Sequence, residues 1–209
     1  MVNRKIIFVA ILSLSIFLAG CGVIFLSPDA TEEDLTALSG GDNESLDYLT
    51  GSWDGNTYTN EFAGITFNLP EGWYHFTNKQ LGNNDLNSFY GMIARGPSDS
   101  PSIVMIFDKL SDEDMKNNFS ATDYLTGVLN SYAENYPNFI LNGIENADVD
   151  GNAFKTFYLI RDDSTYMRYF ARVVDNYMLS ISIIAPSLDE IDKVVENFSS
   201  NKEYTNANS

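Results

Sequence analysis

The sequence predicts an α+β fold in which a central antiparallel sheet has helices packed on its faces. Strand-like segments follow one another between residues 58 and 185, with turn residues between them. Two amphipathic helical segments, which begin after Ser120 and Ser187, interrupt and close this series. Consecutive strands joined by short turns pair antiparallel, and an apolar helix face has to be buried against such a sheet. The predicted domain therefore covers residues 57–199.

The first four strands are predicted before residue 110. Their bounds are 58–62, 65–69, 89–94 and 102–107. Ala63-Gly64 is typical of a hairpin connection between the first two strands, and Pro70 ends the second. The polar residues 78–87 predict a helical turn or a loop.

A helix and four strands are predicted next. Apolar side chains recur at helical spacing after Ser120, at Leu125, Val128, Leu129 and Tyr132. Pro137 ends this helix. The strands that follow have the bounds 140–149, 153–161, 166–174 and 177–185. The last strand alternates apolar and polar residues, which predicts one buried and one exposed face.

The final helix begins with a predicted capping box formed by Ser187 and Glu190. Its apolar stripe contains Leu188, Ile191, Val195 and Phe198. Residues 200–209 are predicted to be a frayed tail.

The N-terminus has the layout of a secretory signal. Arg4 and Lys5 precede an apolar run over residues 6–18, and the run ends in Leu18-Ala19-Gly20-Cys21, which resembles the lipobox of bacterial lipoproteins. We therefore expect a signal peptide over residues 1–20, lipid on Cys21 and an extracytoplasmic location at the cell membrane. The alternative is an uncleaved membrane anchor that continues to Leu26, and the basic flank gives it the same orientation.

Residues 21–56 are acidic and rich in Ser, Thr and Gly, so they are interpreted as a lipidated, flexible linker. Cys21 is the only cysteine. If lipid occupies it, the domain has neither a disulfide nor a reactive thiol, and its stability has to come from packing.

The charge of the mature chain disfavours several partners. Two of the twelve Lys and Arg residues precede Cys21, which leaves ten against 29 Asp and Glu, a formal charge of −19. Such a balance excludes nucleic acid as an expected partner. It also opposes adhesion of the domain to anionic lipid, so the predicted membrane contact is the lipid on Cys21.

Residues 58–62 and 64–73 resemble the opening of PsbP-like proteins, a family that includes small secreted bacterial lipoproteins. The resemblance rests on two segments, Tyr58-Thr59-Asn60-Glu61-Phe62 and Gly64-Ile65-Thr66-Phe67-Asn68-Leu69-Pro70-Glu71-Gly72-Trp73. It implies an α-β-α sandwich and a noncatalytic, accessory role at a membrane assembly. It places no functional residue of that family on this chain.

No catalytic, metal or cofactor site is predicted. His75 is the only histidine and lies among aromatic residues, which is typical of a packed imidazole. Asp148, Asp150 and Asn152 suit a hairpin turn or, with further ligands, a calcium site. Asp112-Glu113-Asp114 indicates the start of a helix.

Aromatic side chains offer two candidate contact surfaces. The first is a groove for a sugar or peptide, lined by some of Trp53, Tyr58, Trp73, Tyr74, Tyr166, Tyr169 and Phe170. The second is a basic and aromatic strip on one strand face, composed of Tyr166, Arg168, Phe170 and Arg172. The simpler interpretation is that the two arginines of this strip are surface charges at the side of a sheet.

Three functions are consistent with these features. The first is a lipid-anchored, noncatalytic module that binds or steadies a protein assembly of the cell envelope. The second is a lipoprotein that binds a small ligand or glycan. The third is a carboxylate-dependent hydrolase, which requires a buried pair of acids in one cleft.

Overall fold

The computed structural model describes residues 48–200 except positions 84, 150 and 162. The signal segment, Cys21, the linker up to residue 47 and the tail from residue 201 lie outside the described residues. In chain order the strands are β1 (Ser52–Asp54), β2 (Thr57–Asn60), β3 (Ile65–Asn68), β4 (Tyr74–His75), β5 (Ser88–Arg95), β6 (Ser102–Lys109), β7 (Ile140–Leu141), β8 (Glu145–Val149), β9 (Asn152–Ile160), β10 (Tyr166–Val174), β11 (Tyr177–Ala185) and β12 (Phe198–Ser200). The helices are α1 (Asn78–Leu81), α2 (Asp112–Lys116), α3 (Ala121–Asn135) and α4 (Leu188–Val195).

None of the helices in this range is long and apolar enough to cross a membrane.

The strands form two antiparallel sheets. The small sheet has the order β1-β2-β3-β12. The central sheet has the order β4-β5-β6-β11-β10-β9-β7, and β8 pairs with β9 beside β7. The α+β class and the antiparallel central sheet are confirmed.

The central sheet is covered on both faces. On one face, Phe107 of β6 belongs to the same core cluster as Phe67 of the small sheet and Ile191 of α4. On the other face, Leu125 of α3 packs with Phe157 of β9. Each such fully buried side chain stabilises the fold by roughly 1.5–3 kcal/mol. The small sheet, which lies on the first of these two faces, was not predicted as a separate sheet.

Side-chain caps start the helices where the sequence predicted. Ser120 accepts a hydrogen bond from the Asp123 backbone, and the Asp123 carboxylate accepts one from the Ser120 backbone, which forms a complete capping box. Ser187 caps α4 by accepting a hydrogen bond from the Glu190 backbone, which is half of the predicted capping box, whereas the Glu190 carboxylate accepts a bond from Lys193. These caps explain why α3 and α4 begin at the predicted residues.

The prediction that Phe198 continues the helical stripe of α4 was wrong. The helix ends at Val195, and Phe198 lies in β12, paired with Phe67 of β3. The two rings are 4.9 Å apart between centroids. The residue spacing fits a helix, but pairing with β3 satisfies the backbone and buries the same ring, so tertiary contacts decide the conformation.

The predicted strand 140–149 is two strands. β7 pairs with residues 159–160 of β9, whereas β8 pairs with residues 152–156 of the same strand. Residues 142–144 separate them, with the Asn142 side chain accepting a hydrogen bond from the Gly143 backbone. An Asn-Gly pair favours such a break in a strand, and this signal was not used in the prediction.

The folded domain begins before residue 57, so the linker boundary at residue 56 needs correction. Tyr58 donates a hydrogen bond to the Thr50 carbonyl over 2.6 Å, and Asn60 donates one to the Leu49 carbonyl over 2.8 Å. Both side chains are fully buried. They join residues 49–50 to the small sheet, and β1 follows directly.

Candidate functional site

The predicted strip on β10 does lie on one face of the strand. Tyr166, Phe170 and Val174 contact the core cluster that also contains the small sheet and α4. Phe170 is 2% exposed. The predicted face is therefore directed into the domain, and Phe170 belongs to its core.

Arg168 is tied to helix α4. Its Nη1 atom donates to Asp192 Oδ1 over 3.0 Å, its Nε atom donates to Thr156 Oγ1 over 3.2 Å, and Glu145 is 3.9 Å away. Its guanidinium also lies over the Phe170 ring, 5.0 Å from the centroid. These contacts orient the side chain between β10, β9 and α4.

Arg172 is tied to the β2–β3 hairpin. It donates to Asn152 Oδ1 over 2.8 Å and to the Ala63 carbonyl, and its guanidinium lies 5.1 Å from the centroid of Phe154. Burial lowers the pKa of Arg172. The strip predicted as one exposed surface is therefore corrected: its arginines hold neighbouring layers together.

The aromatic groove is not assembled from the predicted residues. Tyr58, Tyr169 and Phe170 are buried, and Trp73 packs partly against the core. Trp53 stacks on His75 with 4.0 Å between ring centroids, which accords with the packed imidazole that was predicted. Tyr74 alone of the predicted set is a large exposed hydrophobic side chain.

An open depression of about 350 Å³ lies at the start of α3. The first turn of the helix, from Ser120 to Thr122, forms one wall, and Lys155 and Val173 belong to the strands beside it. Lys155 donates a hydrogen bond to Asn146 over 2.6 Å. Lys155, the one lysine that lines the depression, is therefore already hydrogen-bonded. The Ser120 backbone at the start of α3 likewise already donates to the Asp123 carboxylate of the capping box.

The two alternative acidic sites have structural roles. Asp148 accepts a hydrogen bond from the Gly151 backbone in the β8–β9 turn, and Asn152 accepts one from Arg172. Asp150 lies outside the described residues. Asp114 caps α2 by accepting a hydrogen bond from the Ser111 backbone. No group of three potential metal ligands occurs in the described ranges.

Both ends of the central sheet expose a large apolar side chain. Tyr74 on the end strand β4 is 45% exposed, and Ile140 on the opposite end strand β7 is 65% exposed. Both of these strands have only two residues, and short edges oppose pairing with the strand of another chain. The five-residue strand β8 pairs with β9 beside β7 and lengthens the second edge, so contacts made by side chains alone are expected at the β4 end.

Tyr74 is surrounded by polar and aromatic groups, and this arrangement is termed the Tyr74 corner (Tyr74, Phe76, Arg95 and Asp99). The Tyr74 hydroxyl donates to Asp99, and Arg95 lies 3.5 Å from the same carboxylate and 5.5 Å from the Phe76 centroid. The hydrogen bond lowers the pKa of Asp99 and raises the pKa of Tyr74. The sequence placed Tyr74 in the aromatic set but gave no sign of Arg95 and Asp99, because Gly96-Pro97 and Ser100-Pro101 indicate a turn without showing that it lies against Tyr74.

Asp108 is the one described carboxyl group whose pKa is raised. It is 3% exposed, and burial raises its pKa to about 6. Ser88 donates to its Oδ1 atom over 2.6 Å, whereas Oδ2 has no hydrogen-bond partner among the described residues. Burial, partly offset by the Ser88 hydrogen bond, accounts for this shift, and no other described carboxylate contributes to it, as the second acid of a paired-acid hydrolase would.

Comparisons with known proteins concern the fold. No protein-family model matches the chain, and no curated protein matches its sequence. The solution structure of cyanobacterial PsbP from Synechocystis is similar with a TM-score of 0.48 at 15% identity, over 72% of this chain and 98% of that chain. A crystal structure of a Bacteroides thetaiotaomicron protein is similar with a TM-score of 0.38 at 11% identity, over 72% of this chain and 50% of that chain.

Proposed function

We propose that the protein is a lipid-anchored, extracytoplasmic module that binds or steadies a protein assembly of the cell envelope without catalysing a reaction. The N-terminal pattern carries this proposal: Arg4 and Lys5, the apolar run and the lipobox-like residues before Cys21. An α-β-α sandwich of the PsbP-like kind is part of the same proposal.

The attachment of the chain to the domain supports a tethered role. Residues 49 and 50 are hydrogen-bonded to the buried side chains of Asn60 and Tyr58. Covalent geometry allows the chain between Cys21 and residue 48 to span at most about 90 Å. The tether thus ends in a rigid joint, and the domain can reach a partner some distance from the lipid.

The charge of the mature chain supports a protein partner rather than nucleic acid or the lipid surface. A formal charge of −19 repels phosphate groups. The arginines 168 and 172 are engaged within the domain, so they add no basic surface that offsets this charge.

The contact is assigned to the Tyr74 corner. Tyrosine and arginine are enriched among the residues that dominate binding energy at protein interfaces. The hydroxyl of Tyr74 is oriented by Asp99, so the exposed ring loses little conformational freedom on binding. Ile140 at the opposite end of the sheet is an exposed aliphatic side chain, which can neither donate nor accept a hydrogen bond, and it provides a control position.

The first test concerns the anchor. The wild-type chain should incorporate labelled palmitate and fractionate with membranes, whereas the Cys21→Ser variant should do neither. Membrane retention of the variant to the wild-type extent would contradict the lipoprotein proposal.

The second test concerns the partner. A photo-crosslinking amino acid is placed at residue 74 or at residue 140 of the full chain in its native membrane. A discrete crosslinked partner is expected from residue 74 and not from residue 140. Crosslinks from residue 140 alone would contradict the assignment to the Tyr74 corner and would place the contact at the opposite end of the sheet. A membrane-held protein without a crosslinked partner at either position would favour the small-ligand or glycan alternative.

A further inference from the structure

Asp108 occupies a position where a charged group has little compensation. It lies on β6, in register with Ser88 of β5 and Met178 of β11. Its side chain is 3% exposed, and Ser88 supplies the single hydrogen bond that it receives in the described part of the chain. No ion pair to it occurs among these residues, so its ionised form has neither water nor a cation to stabilise it.

Helix α3 contributes to the cover over this carboxyl group. Tyr124 of α3 is 3% exposed and belongs to the same core cluster as Leu110, which follows the end of β6, and Met178, the partner of Asp108 on β11. The charge of Asp108 raises the pKa of Tyr124 beyond the effect of burial, and it does the same to Tyr90 of β5. In the described part of the chain, the titratable groups whose pKa Asp108 shifts are therefore two tyrosines, which are neutral below pH 9.

We propose that Asp108 makes the docking of α3 on the central sheet sensitive to pH, with the helix held tightly while this carboxyl is protonated and more loosely once it is ionised. An ionised carboxylate gains stabilisation from water, and water reaches it only if the covering residues, Tyr124 and Leu110, move apart. Protonation removes that requirement. The first turns of α3 thus respond to the pH outside the membrane. This response is separate from the contact proposed at the Tyr74 corner.

The direction of the effect follows from proton linkage. The ordinary value for the Asp pKa is 3.8, and the folded chain has a pKa of about 6 at Asp108. Between these values the folded chain binds more protons than the unfolded chain, so stability falls as the pH rises through this window. Asp99, Asp123 and Asp163 have lowered pKa values, and their contributions are lost only as the pH falls below about 4.

The test compares the full wild-type chain with Asp108→Asn and with Asp54→Asn, an exposed site that changes the net charge equally. Thermal unfolding is followed from pH 4.5 to pH 7.5. The Tm advantage of Asp108→Asn over wild type should grow by about 5–10 °C across this range, whereas Asp54→Asn should track wild type. Equal behaviour of the two variants would overturn the proposal.

Hydrogen exchange tests the location of the effect. After correction for intrinsic rates, peptides from the first half of α3 should lose protection in the wild type by up to about a hundredfold between pH 4.5 and pH 7.5, and should lose little in Asp108→Asn. Because global stability falls over the same range, β10 and β11 should lose protection as well but stay better protected than α3 at pH 7.5. Protection of α3 equal to that of β11 at pH 7.5 would show that the helix opens only with the whole domain and would overturn local docking. Carbon-13 titration of the wild-type Asp108 carboxyl provides a check that needs no variant: a midpoint near 6 supports the proposal, and one below 4.5 overturns it.

Discussion

Trp53 and His75 stack face to face, with 4.0 Å between ring centroids and 11° between ring planes. Trp53 belongs to β1 of the small sheet, and His75 belongs to β4 at one end of the central sheet. Trp53 also contacts the Tyr58 ring, at 5.4 Å between centroids. The only histidine of the chain therefore joins the central sheet to β1, the first strand of the described residues.

Removing this stack should weaken the junction of the sheets. We expect His75→Ala to lower the free energy of unfolding by about 1 kcal/mol, because it removes one stacked ring, and His75→Phe to stay close to wild type. Urea unfolding followed by circular dichroism measures both. The same loss in the Phe variant would show that the histidine acts through its nitrogens instead.

The joint at residues 49–51 requires glycine. Gly51 has φ +71°, and a Cβ atom there would lie 2.6 Å from the Thr59 carbonyl oxygen. Gly55 has φ +57°, and a Cβ atom there would have no neighbour within 4 Å. Gly55→Ala should therefore cost only the left-handed backbone penalty of about 1–2 kcal/mol, and Gly51→Ala should cost at least about twice as much. Chemical denaturation measures the difference, and equal losses would mean that the neighbours of Gly51 shift without cost.

The hydroxyls of Tyr132 and Tyr169 lie 2.6 Å apart in the core beneath α3. Burial raises the pKa of both, so both carry their protons at neutral pH. Tyr132→Phe or Tyr169→Phe leaves a buried hydroxyl without this partner and should cost about 1–3 kcal/mol. The double variant should lose clearly less than the two single losses added together. Strict additivity in a double-mutant cycle would contradict a coupled pair.

Strand β12 should contribute more to stability than its three residues suggest. Phe198 is 7% exposed and contacts Phe67. Phe198→Ala should lower the free energy of unfolding by about 3–5 kcal/mol and reduce the hydrogen-exchange protection of β3. Val173→Ala, at a position that is 40% exposed, serves as the control and should cost less than about 1 kcal/mol.

Arg172 should not tolerate lysine. Its guanidinium reaches both the Ala63 carbonyl and Asn152, and a single ammonium cannot reproduce this planar geometry. Arg172→Lys should cost about 1–3 kcal/mol through the loss of buried hydrogen bonds. Lys155→Met removes a surface bond to Asn146 and should change stability by less than about 0.5 kcal/mol. Thermal unfolding compares the two, and a neutral Arg172→Lys would contradict the bracing role of this arginine.

Local patterns predicted the strands whose limits are marked by turn residues. β10 and β11 have the predicted bounds, because Asp175-Asn176 makes the turn between them and Pro186 follows the second. The hairpin around Gly64 was also predicted. These features depend on residues that are close together in the chain, which is why one sequence sufficed.

Features that depend on distant residues were not predictable in this way. The alternation in β11 predicted one exposed face, yet Ser180 is 8% exposed because α3 covers that side of the sheet. The common face of Arg168 and Arg172 was predicted from the spacing, but its inward direction depends on α4 and the small sheet. The Tyr74 corner depends on the turn at residues 96–101, whose path is determined by its tertiary environment.

The order β1-β2-β3-β12 also has a mechanical meaning. The first and last described strands are the two edges of one small sheet, separated by three strand spacings, or about 14 Å. A tensile load applied between β1 and β12 would therefore be carried by three short strand pairings and would bypass the ladders of the central sheet. Under such a load the small sheet would yield first, while the sheet that presents the Tyr74 corner would keep its shape.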